Sequence, residues 1–270
     1  MQAPDHFRNL NVGMTQTIVI TGASSGIGRS LALRYAANGC RLGLLARDAG
    51  RLKAVADQCR AQGADVRVAA IDVTARAEMA AWLQDFDRDG PVDILIAGVG
   101  VSAGLEPDQS LEDAETSYRL MQTNLLGVLN TVHPLLPAML ERRSGHIVIV
   151  SSVAGFLPLP PMPSYSASKS AVLSYGLALR AGLRRRGVRV SVVCPGYVEG
   201  PMTDQIRGAT PFIVSLADAA EKIDRGISRN RAIIAFPWFF ALFLRLLGSL
   251  PEILRSRLLS VNSFRVSRRE

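Results

Sequence analysis

Cysteine, histidine and lysine are scarce in this chain of 270 residues, with three of each. Cys40, Cys59 and Cys194 are too few and too scattered for a disulfide framework or a zinc site, which favours a reducing compartment. His6 lies in a polar opening segment. His133 and His146 flank apolar runs without metal-ligand spacing, so both read as structural and no metal is expected. Internal repeats and low-complexity segments are lacking too. So is a membrane span: the uncharged stretch 232–244 is too short to cross a bilayer and contains Pro237. Residues 1–13 lack the apolar core of a signal peptide and read as a flexible extension, with Met14 as an alternative start. A cytoplasmic protein is expected. Apolar residues make up 48% of the chain, which excludes general disorder.

Positive charge, by contrast, is plentiful. Lys and Arg number 31 against 23 Asp and Glu, for a net charge of +8. That balance suits nucleic acid, an anionic membrane surface or a phosphate-bearing cofactor. The arginines are scattered rather than clustered and no zinc-finger or basic-zipper pattern appears, so no nucleic-acid partner is expected.

Short β-branched runs alternate with longer helical stretches. Strands are expected at 17–21, 41–46, 66–71, 92–97, 146–151, 188–193 and 232–236. Helices are expected at 26–38, after Asp48 as N-cap, around 78–86, across 111–140 with a break near Pro134 and Pro137, and over 165–186. A further helix opens at Ser215, with Asp218 completing a Ser-x-x-Asp cap, after a loop over 195–211. Apolar strands separated by helices predict an α/β fold: a doubly wound, seven-stranded parallel sheet (a Rossmann fold) with helices on both faces. Residues 14–236 would form this domain, and 237–270 an apolar helical extension. Such sheets bind ligands at the carboxyl ends of their strands.

The loop after the first strand reads TGASSGIG, residues 21–28, and opens a helix. Gly22 permits a sharp turn. Gly26 and Gly28 remove side chains, so a pyrophosphate can approach backbone N–H groups at a positive helix end. Ser24, Ser25 and Ile27 complete that cradle. At the end of the second strand, a carboxylate would select the ribose hydroxyls of NAD. Ala46 and Arg47 stand there instead, and a guanidinium fork can pair with a 2′-phosphate. NADP is therefore expected in preference to NAD, with Ser24 as a second phosphate contact. Two alternatives stay open: Arg47 as an ordinary surface arginine, and Asp48 as a ribose ligand rather than a cap. Asp72 and Val73, at the end of the third strand, are placed to touch adenine, with a plain strand-end turn as the alternative.

Tyr165 and Lys169 stand at i and i+4, on one face of a helix. A neighbouring ammonium stabilises a phenolate and lowers the tyrosine pKa. A tyrosine so tuned can give or take a proton near neutral pH. The compact lysine head can also reach a ribose hydroxyl, a point contact that a wide guanidinium would not fit.

TGASSGIG, Asn124 in NLLG, SSVAG at 151–155, YSASK at 165–169 and PGYV at 195–198 occur in that order. Together they resemble the short-chain dehydrogenase/reductase family, over about residues 17–236. In that family a serine lies thirteen residues before the tyrosine, which selects Ser152 over Ser151. The resemblance implies hydride transfer between a nicotinamide and a carbonyl or carbinol carbon, as in carbonyl reductases. Tyr165 would be the proton donor or acceptor, and Ser152 would orient the carbonyl. Lys169 would hold the nicotinamide ribose and depress the Tyr165 pKa, and Asn124 would anchor a water linking Lys169 to solvent. Pro195, Gly196 and Val198 would line the nicotinamide side. A homodimer or homotetramer is also implied. The chain departs from the family after strand four, where Ala97, Gly98, Val99 and Gly100 replace the usual Asn-Asn-Ala-Gly. Ala97 and Gly98 keep the family's cofactor-side position without the asparagine bonds. Gly200 replaces a threonine that bonds the carboxamide, with Thr203 as a substitute nearby.

FLPLPPMP, residues 156–163, is apolar and carries four prolines. With Phe212 and Ile213 it suggests an apolar substrate pocket, or else a loop packed on the protein itself. The stretch 235–259 is strongly apolar, interrupted by Arg245, Arg255 and Arg257, and reads as two short helices broken at 248–251. It could be buried in protein, cap the pocket, join subunits, or lie peripherally on the inner face of an anionic membrane. A membrane-held reductase of a lipid or acyl intermediate, and a non-catalytic NADP-binding sensor or scaffold, are the alternatives to a carbonyl reductase.

Overall fold

The structure, a computed structural model, describes residues 16–105, 111–207, 210–260 and 265–266. The expectations for residues 1–13 and for position 14 lie outside them.

Seven strands form the main sheet: β1 Thr17–Thr21, β2 Arg41–Ala46, β3 Asp65–Ala70, β4 Ile94–Ala97, β5 His146–Val150, β6 Arg189–Pro195 and β8 Ile233–Phe236. All pairs are parallel, in the order β3-β2-β1-β4-β5-β6-β8. The expected strands and fold class are present, with boundaries moved by one or two residues. All five residues of β1 are buried, as a strand covered on both faces requires. Its side chains alternate. Ile18 and Ile20 pack with Leu31 of α1 (Gly26–Ala36), Leu52 of α2 (Ala49–Ala61) and Ile223 of α8 (Leu216–Ser228). Val19 packs on the opposite side with Leu83 of α3 (Arg76–Arg88) and Val172 of α7 (Pro163–Leu183). Trp82 belongs to this second core, stacked on Phe86 with ring centroids 5.1 Å apart.

The helix expected over 111–140 is divided. Asp113 starts α4 (Ala114–Met121) by accepting the Thr116 N–H, a residue type suited to that position. A π-helical turn follows at Gln122–Leu126, then α5 (Gly127–Val132) and α6 (Leu136–Glu141). The break falls at the prolines as expected, with Pro137 in the first turn of α6, where its missing N–H is harmless. The π turn was not foreseen. Neither was a short antiparallel ribbon of β7 (Ile206–Arg207) with β9 (Arg265–Val266). Ser215 caps α8 by accepting the Asp218 N–H. The apolar tail forms α9 (Trp238–Gly248) and α10 (Glu252–Ser260).

Both described histidines lie within hydrogen-bonding distance of a side-chain hydroxyl. His146 Nε2 lies 2.9 Å from Ser191 Oγ. That hydroxyl donates its own proton to the Arg231 carbonyl at 2.6 Å, so Nε2 must be the donor to it. Burial pushes the His146 pKa down to about 3, which keeps the ring neutral. His133 sits 3.4 Å from the Tyr175 hydroxyl.

Candidate active site

Strand order reverses between β1 and β4, and the carboxyl ends on either side leave a cleft of about 760 Å³. Its walls include Gly22, Ser24, Ser25, Gly26, Ile27, Gly28, Arg47, Asp72 and Val73 at one end. Gly98, Ser152, Tyr165, Lys169, Pro195, Gly196 and Val198 line the other. Ala97, also expected to touch the cofactor, does not reach the cleft. It is buried at the end of β4, and the wall begins with Gly98.

The glycine loop is held by backbone contacts. An ideal Cβ on Gly28 would lie 2.3 Å from the Gly22 carbonyl oxygen, so no side chain fits. Gly22 has φ +75, and its N–H donates to Leu45 O at 2.8 Å. The first turn of α1 carries no acidic residue, and Ser25 at its N-cap makes no side-chain cap bond. A positive helix end therefore faces the cleft uncompensated by an acid, suited to a phosphate. The altered strand-four loop fits this arrangement. A Cβ on Gly98 would meet Thr21 O at 2.7 Å, so close backbone approach stands where the family uses asparagine. Gly98 N–H donates to Thr21 Oγ1 at 3.2 Å.

At the second loop, Asp48 is a cap. Its Oδ1 accepts Arg51 N–H at 2.9 Å and its Oδ2 accepts Arg51 Nε at 2.6 Å. Arg51, not singled out in the sequence, lines the cleft beside Arg47. Arg47 Nη1 lies 3.6 Å from Asp72 Oδ2, and both side chains remain substantially exposed. Burial raises the Asp72 pKa, but bonds from the Thr74 N–H and hydroxyl and the charge of Arg47 outweigh it and hold it low. Asp48, with its carboxylate held by Arg51, lines the cleft as well.

The proton-transfer groups converge on α7. Tyr165 is 8% exposed and Lys169 3%. Lys169 Nζ donates to Val150 O at 3.2 Å and stands 5.8 Å from the centre of the Tyr165 ring. A Cβ at Gly100 would come within 2.9 Å of that amine, so glycine there makes room for it. Burial raises the Tyr165 pKa, and a hydrogen bond with Ser152 opposes it. Burial lowers the Lys169 pKa to about 8. The expected depression of the phenol by Lys169 is thus not the dominant influence; desolvation of the phenolate is. Ser152 Oγ also accepts Ala154 N–H at 3.1 Å, which fixes its position at the end of β5.

Asn124 lies behind the cleft rather than in it, fully buried in the π turn. Its Oδ1 accepts Val101 N–H at 2.8 Å, and its Nδ2 donates to Val101 O at 2.9 Å and Ser168 Oγ at 3.0 Å. It fastens the strand-four loop to α7. Ser168 was missed in the sequence although it adjoins Lys169. Ser151, passed over for Ser152, donates to Lys169 O at 2.7 Å and braces α7. Thr203 lines the cleft and donates to Val198 O. Cys194 is fully buried with its thiol pushed up to about 12, which argues against a nucleophile.

Residues 156–163 do not line the cleft. Phe156 and Leu157 pack on α9, while Leu159 and Met162 pack with Leu120 and Tyr165 behind it. Met202, Gln205 and Leu216 line the cleft instead, and Phe212 and Ile213 are exposed.

The family model for short chain dehydrogenases matches residues 16–210. An uncharacterized oxidoreductase of Myxococcus xanthus is 36% identical over 238 residues, 88% of this chain and 93% of that protein. A short-chain dehydrogenase from Sphingobium yanoikuyae, solved in complex with NADPH, superposes with a TM-score of 0.77 at 29% identity, covering 92% of this chain and 96% of that one. A short-chain dehydrogenase/reductase from Burkholderia phymatum, solved in complex with NAD, gives 0.78 at 29% identity, covering 86% and 92%.

Proposed function

Because the chain belongs to the short-chain dehydrogenase family, we propose that it is an NADP-dependent oxidoreductase interconverting an apolar ketone and its alcohol. The observation that carries this reading is the joining, in one cleft, of a phosphate cradle with Arg47 and Arg51 to Tyr165, Ser152 and Lys169. When bound, the dinucleotide supplies or accepts hydride at its nicotinamide C4. The protein's residues do the rest. Gly22 to Gly28 receive the pyrophosphate, and Arg47 with Arg51 receives the 2′-phosphate. Ser152 donates to the substrate oxygen and holds it toward Tyr165. The Tyr165 hydroxyl gives its proton to that oxygen in reduction and takes it back in oxidation. Lys169 presents its ammonium to the ribose and to the proton path, and Asn124 keeps Gly100 and Val101 in place around it. Val99, Val101, Val198 and Met202 support an apolar substrate.

Cofactor choice is tested by fluorescence titration with NADPH and NADH. Wild type binds NADPH more tightly. Arg47→Ala with Arg51→Ala weakens NADPH by about tenfold or more, the scale of a lost charge-assisted contact, and leaves NADH nearly unchanged. Tighter binding of NADH by the wild type overturns the assignment. A series of ketones of increasing chain length, followed by NADPH absorbance, tests the substrate class. A preference for short or charged ketones would refute it.

The pH dependence has a definite sign. Reduction needs Tyr165 protonated and is aided by Lys169 as ammonium, whose pKa is lowered to about 8. The kcat/KM for ketone reduction is therefore level below that value and falls above it. Alcohol oxidation needs the phenolate, whose pKa burial raises, so its kcat/KM climbs into the alkaline range. Profiles of both directions that move together would contradict these roles.

A further inference from the structure

Helix α9 is buried on one side and apolar on the other. Its inner residues Ala241 and Leu244 pack with Val153 and Leu157. Its outer residues Trp238, Phe239, Leu242, Phe243 and Leu246 are between 45% and 71% exposed. At 100° per residue, positions 238, 242 and 246 form one stripe, 239 and 243 widen it, and Arg245 falls at its flank. The patch continues in both directions. Ile253, Leu254 and Leu258 of α10 are exposed, and the exposed Phe212 ring meets Phe239 edge-on with centroids 5.0 Å apart. So large an exposed apolar surface marks a contact site.

The charges around it select the occupant. Residues 237–260 carry three arginines, Arg245, Arg255 and Arg257, and one acid, Glu252. That acid is already ion-paired with Arg255. A second copy would bring the same positive charge to this contact, which disfavours pairing through this face. The segment's net positive charge is matched by negative headgroups. Tryptophan and phenylalanine with flanking arginines suit the boundary between acyl chains and headgroups. Among the described residues no helix is long and apolar enough to cross a membrane, so contact would be along one face.

We propose that the outer faces of α9 and α10, with Phe212, seat the protein on an anionic lipid surface. The seat adjoins the cleft: Val214, two residues after Phe212, pairs with Val198, which lines the cleft, as does Leu216. On the reading of an apolar substrate given above, that substrate passes between lipid and cleft without crossing open water.

The test is flotation of the full chain with vesicles of phosphatidylcholine alone or mixed equally with phosphatidylglycerol. Each basic side chain near an anionic surface strengthens binding about fivefold, so three arginines against one acid predict about thirtyfold tighter binding to the mixed vesicles. Trp238 emission moves to shorter wavelength on binding. Phe243→Glu with Leu246→Glu, both on the exposed side, abolishes flotation and the emission shift while the melting temperature is kept. Failure of the wild type to float at low salt, or undiminished flotation of the double variant, overturns the proposal. So does a wild-type dimer that fails to float and that the double variant splits, which would assign the face to a second copy. The readout is position in the gradient, so its failure is distinct from a failure to reduce ketones.

Discussion

Tyr165→Phe binds NADPH as the wild type does and loses turnover by about two to four orders of magnitude, the usual contribution of a positioned acid or base. The substitution removes one oxygen and nothing else. The ring packs with Leu120, Ala154 and Met162, and phenylalanine fills the same space. The hydroxyl loses only its bond with Ser152, whose Oγ still accepts Ala154 N–H. Neither the glycine loop nor Arg47 and Arg51 is disturbed. Single-turnover reduction of a ketone, together with a fluorescence titration of NADPH, separates chemistry from binding. Turnover within tenfold of wild type would show that another group carries the proton. NADPH binding without turnover in the wild type itself would favour a sensor.

Gly28→Ala is the second large effect, and it acts on the other half of the cleft. The added Cβ would stand 2.3 Å from Gly22 O and 2.8 Å from Gly22 C, both backbone atoms. Relief requires moving the turn that presents N–H groups to the pyrophosphate. Gly22 is itself closely packed: a Cβ on it would stand 3.1 Å from Gly98 O and 3.2 Å from Val99 Cα. Overpacking of this kind costs about 1–3 kcal/mol, and the melting temperature falls by several degrees. NADPH affinity drops at least about tenfold, because the added strain and the loss of phosphate contacts share one cause. Calorimetry and a cofactor titration measure the two effects. An unchanged affinity would mean that the loop does not hold the pyrophosphate.

How much of this was legible depended on whether a residue acts through its neighbours in the chain. Gly22 to Gly28, and Tyr165 with Lys169, act over one turn, so spacing alone placed them. The strands were legible because a doubly covered sheet buries every position and favours apolar and β-branched residues throughout, as in β1. The role of Asp48 was open because a cap and a ribose ligand want the same residue type; only the bonds to Arg51 decided it. Arg51 itself was overlooked because its partnership with Arg47 is made by the turn into α2. Of Ala97 and Gly98, both expected to face the cofactor, only Gly98 lines the cleft, since sequence cannot say where a strand stops facing its core. The influence of Lys169 on Tyr165 was overstated, because burial of both groups has no signature in a pair of letters.

The wide turn around Asn124 has a consequence for the whole of its helix. A π turn spends one residue more per revolution than an α-helix, as though one position had been slipped into a regular rod. Without that extra position every side chain after it would be rotated by about 100°. Asn124, inside the turn, bonds both backbone groups of Val101, and Val128 and Val132 reach the core after it. The segment thus serves two masters with incompatible phases, a polar clamp upstream and an oily seam downstream. The local misfit is the gearing that lets one rod satisfy both.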